Sequence, residues 1–519
     1  MADQIKDMGQ GGLCTDLPPM LVPMNTFTDV NNVRFDDNSV QVITGEALYR
    51  TVSIAPDFGV HWRRPDQSYN IFAKNGIIVR VDAAGNTSGY PTGTPMLSSS
   101  DAKYSNSDWH STLFNGGYAV VMNNGKSTPL YCLYNGGTAD TQFVELPGWN
   151  YTVGQTITAK VVRSLNYSLV AANLTVVGTS ATTNAPGTIR VSAQAAAGSI
   201  PQIWQPGTTT DTADEFELSS TSPILDMLEL RGNMFIYSQD CINILTIGAT
   251  SRVQPYSKSY GIISTDCVCE FDGSHFVVDR NDIYVHNGSG SIQSLADFRI
   301  KKYFFGQLNK AALEKMYVVK NPFNKEIWIC YPKGSSTVCT EALIYQYKTN
   351  TWSKRTLVGN TYGFTGPRNI NSTWEYAKEV VYMTTNTTQT LVTDDNYLMW
   401  NGTALVHYLA YIEKKRMNTG DVSGSTLVSA IYPIFDKVPN DSSITVRVRG
   451  QNNYVEDVDL SVDDPDNKDT FISLPNIKKS QGYKVDPRVN GRVLNYRISA
   501  MDYWRLSAMA IDARPADRR

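Results

Sequence analysis

A chain of 519 residues exceeds what one small core organises, and roughly two to four domains are expected. Only 18% of its residues are charged and the net charge is −3, which excludes a generally basic nucleic-acid binder and leaves long ion-paired helices poorly supplied. Hydrophobic residues at 41% and 29 tyrosines favour packed strands over helices or wholesale disorder.

The polar start MADQIKDMGQGGL has no apolar run, so no secretory signal is expected, and no stretch reaches the ~18 apolar residues that span a bilayer. Residues 1–60 read as an extended arm with the first strands, and 61–424 as the main body. Within that body, Gly117–Val121, the turn Asn123-Asn124-Gly125 and Leu130–Tyr134 make a hairpin. Asn-Gly favours such turns because both residues tolerate φ > 0, and the pair recurs at Asn75, Asn115, Asn135, Asn287 and Asn401. Further strand sets are Met234–Tyr237 with Ile242–Ile247, His275–Val278 with Asp282–His286, and Glu326–Tyr331 with Ala342–Tyr347 and Thr351–Arg355. The last set has the order of a kelch-type blade edge: strand, polar turn, Trp. Repeated sheet units of this kind predict an all-β, β-propeller-like body, whose radial closure leaves few free edges.

Two stretches break the pattern. Residues 140–222, rich in Thr, Ser, Ala and Gly, predict an inserted β-region. QLNKAALEKM, residues 307–316, predicts a helix of about three turns. Residues 425–519 predict a separate C-terminal β domain, with SITVRVRG as one strand and GRVLNYRISAMDYWRLSAMAIDARP as two more. Charge is uneven here: 440–470 carry eight acidic and three basic residues, and 476–519 four acidic and ten basic. Such opposite signs suit contacts between copies, or one face meeting something anionic.

Catalytic patterns are missing. The five histidines (His61, His110, His275, His286 and His407) include no helical metal pair, although His275 and His286 sit on adjacent predicted strands. Gly125-Lys126-Ser127 resembles the end of a phosphate loop, but the required first glycine is Val120 and a hairpin turn is expected there. Asp457, Asp459, Asp463, Asp464, Asp466 and Asp469 suggest calcium, yet the sixth loop position is Val462 instead of Gly. Trp62, Trp109, Trp149, Trp204, Trp352, Trp374 and Trp400 are sugar-stacking candidates, with blade cores or subunit interfaces the commoner place for such rings. The seven cysteines (Cys14, Cys132, Cys241, Cys267, Cys269, Cys330 and Cys339) lack zinc spacing and read as thiols of a protein made in a reducing cytosol. No enzyme activity, cofactor, catalytic residue or metal site is expected.

Several segments follow one another in a familiar order: LPPMLVPMNTFTDVNNVRFDDNSVQVITG, then IPQIWQPGTTTDTADEFELSSTSPILDMLELRGNMFIYSQDCINIL, DRNDIYVHNGSGSIQSLADFRIKKYFF, EIWICYPKG, ALIYQYKTNTWSKR and DYWRLSAMAIDARP. In this order the chain resembles the tail nozzle, or tail-stabilisation, proteins of short-tailed bacteriophages. Residues 140–195 and 456–469 have no counterpart in the resemblance. It implies a virion protein assembled in the host cytoplasm as a ring, typically of six copies, at the distal end of the tail. It further implies attachment to a head-to-tail adaptor, docking of fibres or tailspikes, and double-stranded DNA crossing the lumen without sequence-specific binding. A conduit is expected to lack a strong phosphate grip, since every neutralised phosphate adds affinity that stalls passage. The competing expectation is a glycan-binding β-propeller for host-surface recognition.

Overall fold

The computed structural model describes residues 3–64, 67–88, 96–106, 108–134, 142–207, 213–248, 250–393, 396–418, 424–438, 443–453, 457–463, 471–477 and 483–516. Its strands build two bodies. In the first, successive antiparallel sheets follow the chain: one from Phe58–Trp62 to Leu97–Ser98, then His110–Phe114 to Val144–Glu145, Thr156–Leu165 to Asp214–Glu217, Ile224–Leu230 to Arg252–Ser257, and Val268–Phe271 to Ile292–Ser294. A seven-stranded sheet follows, from Tyr317–Asn321 round to Glu46–Thr51.

That last sheet serves two blades. Strand Thr351–Ile370 pairs through its first half with Cys339–Gln346 and through its second half with Thr373–Thr385, shifting register near Asn360. The first half ends the sixth blade and the second half begins the seventh. The first strand of each blade packs beside that of the next, and the second half of Thr351–Ile370 lies between Tyr317–Asn321 and Phe58–Trp62, closing the ring. The body is therefore a seven-bladed β-propeller, five sheets giving one blade each and the sixth giving two. Its outermost last strand comes from the start of the chain: Glu46–Thr51 pairs with Gln389–Thr393, joining residues more than 300 positions apart. Such a join ties the start of the chain to the last blade of the ring.

Several sequence expectations are realised locally. The turn between His110–Phe114 and Ala119–Asn123 holds Asn115 and Gly116 at φ 49° and 64°, a conformation these two residues adopt cheaply. The Asn135 turn lies outside the described residues. Other expectations are corrected. The stretch 140–222 is no insertion: Thr156–Leu165, Ser168–Val177, Thr182–Val191 and Asp214–Glu217 are the third blade. Small buried residues such as Ala159, Ala171 and Ala172 fill it, so its apolar alternation is faint. The helix is Lys301–Gln307, followed by a 3-10 segment at Lys310–Lys315. Asn309 separates them because its side chain accepts from the Ala311 N–H at 3.0 Å, the act of an N-cap that starts a new turn.

The second body is a β-sandwich made from both chain ends. One sheet combines Asp3–Ile5, Val33–Asp36 and Ser39–Val42 with Thr426–Lys437, Val489–Gly491 and Arg505–Pro515. The other combines Asp29–Asn31 with Ala410–Asn418, Ile444–Gln451, Phe471–Ile477 and Val493–Ala500. The strands of described residues 3–60 are thus built into both bodies. The first strands there divide among sandwich, seventh blade and first blade, while 6–28 carry only the short helix Met8–Gly11 and the 3-10 turn Pro19–Leu21, and the C-terminal β unit starts at Ala410, ahead of the expected 425.

The two bodies share one apolar cluster, running from Val33, Phe35 and Ile412 to Phe276, Tyr345 and Trp352. Burying each such side chain contributes about 1.5–3 kcal/mol. Across the same boundary, Arg34 Nε donates to Glu326 Oε1 at 2.5 Å and Nη2 to Oε2 at 3.2 Å, with both side chains buried. Backbone bonds from Leu13 N to Trp352 O and from Asn32 N to Lys354 O add direction to the joint. Sandwich and propeller are built as one unit.

Candidate functional site

The sequence candidates prove to be structural. His275 and His286 face each other in register across adjacent strands of the fifth blade, and both ring nitrogens reach the Tyr237 hydroxyl, at 2.6 and 2.7 Å. His275 Nε2 lies 3.0 Å from Glu229 O, which can only accept, so Nε2 carries the His275 proton. Tyr237 then donates to His275 Nδ1 and accepts from His286 Nε2. Burial holds the two imidazoles down at about 4 and about 3, so both are neutral. This trio rivets the fourth blade to the fifth.

Gly125-Lys126-Ser127 is consumed by its own turn. Asn124 Oδ1 accepts from Lys126 N, Ser127 N and Ser127 Oγ, while the Lys126 ammonium donates to the carbonyls of Ser105 and Asn106. Of the acidic candidates, Asp457 pairs with Lys415 and Asp463 with Arg447, each at 2.9 Å, and Asp459 accepts from Ser461 N. Asp464, Asp466 and Asp469 lie outside the described residues. Among the described residues no group of His, Cys, Asp or Glu is placed to hold a metal ion.

Five of the seven candidate tryptophans, Trp62, Trp109, Trp149, Trp204 and Trp352, are buried. Trp62 of the first blade donates to Gly117 O beside the second, Trp109 donates back to Asn75 O, and Trp352 of the sixth blade donates to Leu295 O after the fifth. Trp149 and Trp204 pack edge to face at 4.6 Å. The half-buried Trp374 and Trp400 donate to Ser68 O and Gln389 Oε1.

What no local motif revealed is the propeller axis. The inner strands of the second, third and fourth blades, with a residue two positions ahead of the fifth, bring together His110, Arg163, Asp226 and Asp266. Arg163 Nη2 lies 2.6 Å from Asp226 Oδ1 and 3.7 Å from Asp266 Oδ1, and His110 Nδ1 lies 3.1 Å from Asp266 Oδ2. Asp108 stands 3.6 Å from His110 Nε2 and 3.4 Å from Lys160. The backbone N–H groups of Met227 and Asp266 donate to the two Asp226 oxygens at 2.7 and 2.9 Å. Burial alone would depress the His110 imidazole, but the Asp266 and Asp108 carboxylates outweigh it and raise it to about 9. Burial pushes Asp226 upward against the pull of Arg163.

Aromatic rings fill the other side of the axis: Tyr362 lies 4.9 Å from Phe58 and 5.4 Å from Tyr317. Glycine makes the approach possible. A Cβ on Gly59 would meet the Phe364 ring at 2.4 Å, and one on Gly363 the Tyr317 ring at 2.7 Å. The propeller is plugged along its own axis.

No protein-family model and no curated protein matches the chain. Solved structures do. The structure of U3-55K superposes with TM-score 0.37 at 7% identity, over 67% of this chain and 98% of that one. The RRP9 WD40 repeats give 0.38 at 8%, over 68% and 98%. BamB from Moraxella catarrhalis gives 0.35 at 10%, over 67% and 97%.

At one mouth of the plugged axis lies a cavity of about 350 Å³. Asp57, Asp108, Asp266, Met316 and Asn360, each just ahead of an inner strand or at its start, all line it, so these strands begin at the same mouth. Lys74 Nζ pairs with Asp57 Oδ2 at 2.5 Å on one wall.

Proposed function

We propose that the chain is a structural subunit of the distal tail nozzle of a short-tailed phage. Copies would form a ring, attached to a head-to-tail adaptor, that offers fibres a docking surface and passes DNA through the lumen between copies. What carries this reading is the resemblance, in order, of segments from LPPMLVPMNTF to DYWRLSAMAIDARP to those of nozzle proteins. The architecture is compatible with it. A plugged propeller axis leaves the space enclosed by several copies as the conduit. A sandwich that ties both chain ends to the fifth and sixth blades gives the stiffness a tube subunit requires. The groups engaged at the axis hold one another in place, and none is a free nucleophile beside a base. The glycan-binding alternative loses part of its original support, since Trp62, Trp109 and Trp352, three of the tryptophans that suggested it, are engaged between blades. Imaging of the purified chain mixed with its adaptor tests the proposal: closed rings stacked on the adaptor are expected, and a chain that stays monomeric and ignores the adaptor would overturn it.

A further inference from the structure

At the other mouth of the axis, where the first strands end, lies a second cavity, of about 480 Å³. Leu113, Ser164 and Glu229 line it, each the last but one residue of the first strand of the second, third and fourth blade. The turns 115–118 and 166–167, which follow two of those strands, and residues 197–198 complete the described lining.

The walls are fixed before any guest arrives. Asn115 Nδ2 donates to Ser199 O at 3.3 Å and Ala195 N to Tyr167 O at 2.8 Å, so the loop 195–199 is tied to the turns of both blades. Tyr118 leans on Tyr134 at a centroid distance of 5.7 Å, and a Cβ on Gly198 would stand 3.6 Å from the Tyr118 ring. Ser164 is engaged too, its Oγ donating to Leu113 O at 2.9 Å. A wall that is already ordered spares a ligand the cost of ordering it.

Three groups are left over. Tyr118 and Tyr167 are 38% and 53% exposed, and Glu229 is the only charged residue on the described lining. One blade further on, Glu270 has Lys320 of the sixth blade at 3.6 Å, whereas among the described residues Glu229 has no such cation. A single exposed tyrosine or glutamate is ordinary surface. Two rings and an unpaired carboxylate converging on one preformed cavity select a charge. An anion is repelled by the carboxylate and by the negative ring faces, and a neutral guest leaves the carboxylate without a counter-charge. An ammonium or guanidinium group pairs with Glu229 and is drawn to the ring faces, while Leu113 and Ala197 give its alkyl stem an apolar wall.

We infer that the cavity at the strand-end mouth binds an organic cation, an ammonium or guanidinium group on an alkyl stem. The site is complete within one chain, so it stands apart from ring assembly and from the nozzle reading. The cation has two sources, a free diamine or the basic side chain of a peptide.

The test is a saturation-transfer NMR titration of the full chain. The cationic probes are 1,5-diaminopentane and the Nα-acetyl methylamides of lysine and arginine; the neutral probes are the Nα-acetyl methylamide of norleucine and glucose. We expect transfer to the methylene protons of at least one cation and none to either neutral probe. Binding should weaken about fivefold in Glu229→Gln and about threefold in Tyr167→Ala. Both positions are exposed, so neither substitution threatens the fold. Binding of diaminopentane alone identifies a free diamine, and binding of the blocked lysine or arginine identifies a peptide side chain; both support the site. No transfer from any cation, equal transfer from norleucine or glucose, or cation binding unchanged in both variants would each overturn the inference.

Discussion

Removing Arg163 tests the axial plug most sharply. Its guanidinium lies 2.6 Å from Asp226, whose side chain is 2% exposed, so Arg163→Met strands a carboxylate in the middle of the propeller. Breaking a buried pair by deleting one partner costs roughly 3–5 kcal/mol. Asp226 keeps two backbone donors, Met227 N and Asp266 N, which places the expected loss near the lower end, at about 3 kcal/mol. The double variant Arg163→Met/Asp226→Asn removes the stranded charge and should recover about 2 kcal/mol of that loss. Urea unfolding followed by tryptophan fluorescence is the assay, because Trp62, Trp109 and Trp352 report on contacts between blades. A loss below about 1 kcal/mol, or a double variant no more stable than the single, would refute the claim that the axis is held by a desolvated ion network.

The His110 imidazole is raised to about 9 in the fold, above its ordinary value, so its contribution is complete below about pH 6.5 and vanishes as pH rises through 9; it amounts to up to about 3 kcal/mol. Wild type should therefore lose stability between pH 6.5 and 9.5, and His110→Gln should show a flatter profile in the same urea assay. His275 and His286 act in the opposite sense: both are depressed, so their support is present above about pH 6.5 and fades as pH falls towards 4. Tyr237→Phe leaves two buried imidazole nitrogens unpartnered and should cost about 1–3 kcal/mol by thermal or chemical unfolding. Arg34→Met strands Glu326 between the two bodies and should open the joint to limited proteolysis before the propeller itself unfolds.

Local physics made the blades readable. The Asn-Gly turns, the six fully buried residues of Glu326–Tyr331 and the paired His275 and His286 all announce themselves within a few residues. The features that were not readable depend on distant partners. Nothing near Glu46–Thr51 signals that it completes a blade beside Gln389–Thr393, and nothing near Val33–Asp36 signals a sheet shared with Arg505–Pro515. The third blade reads as an insertion in the sequence because alanine and threonine give little hydrophobic contrast between its two faces. The axial network escaped for the same reason as the closure: Arg163, Asp226 and Asp266 are far apart in sequence, and only the radial arrangement of inner strands makes them neighbours. Tryptophan was the opposite case, conspicuous in sequence and structural in role.

The most direct test of the proposed nozzle is the mass of the assembled particle. Mass photometry of the purified chain, alone and with its adaptor, should show a closed species near six times the 57.5 kDa protomer, with the open lumen lying between protomers when the same sample is imaged. A single population at 57.5 kDa under both conditions, or a ring whose only passage runs down the propeller axis past Arg163 and Asp226, would contradict it.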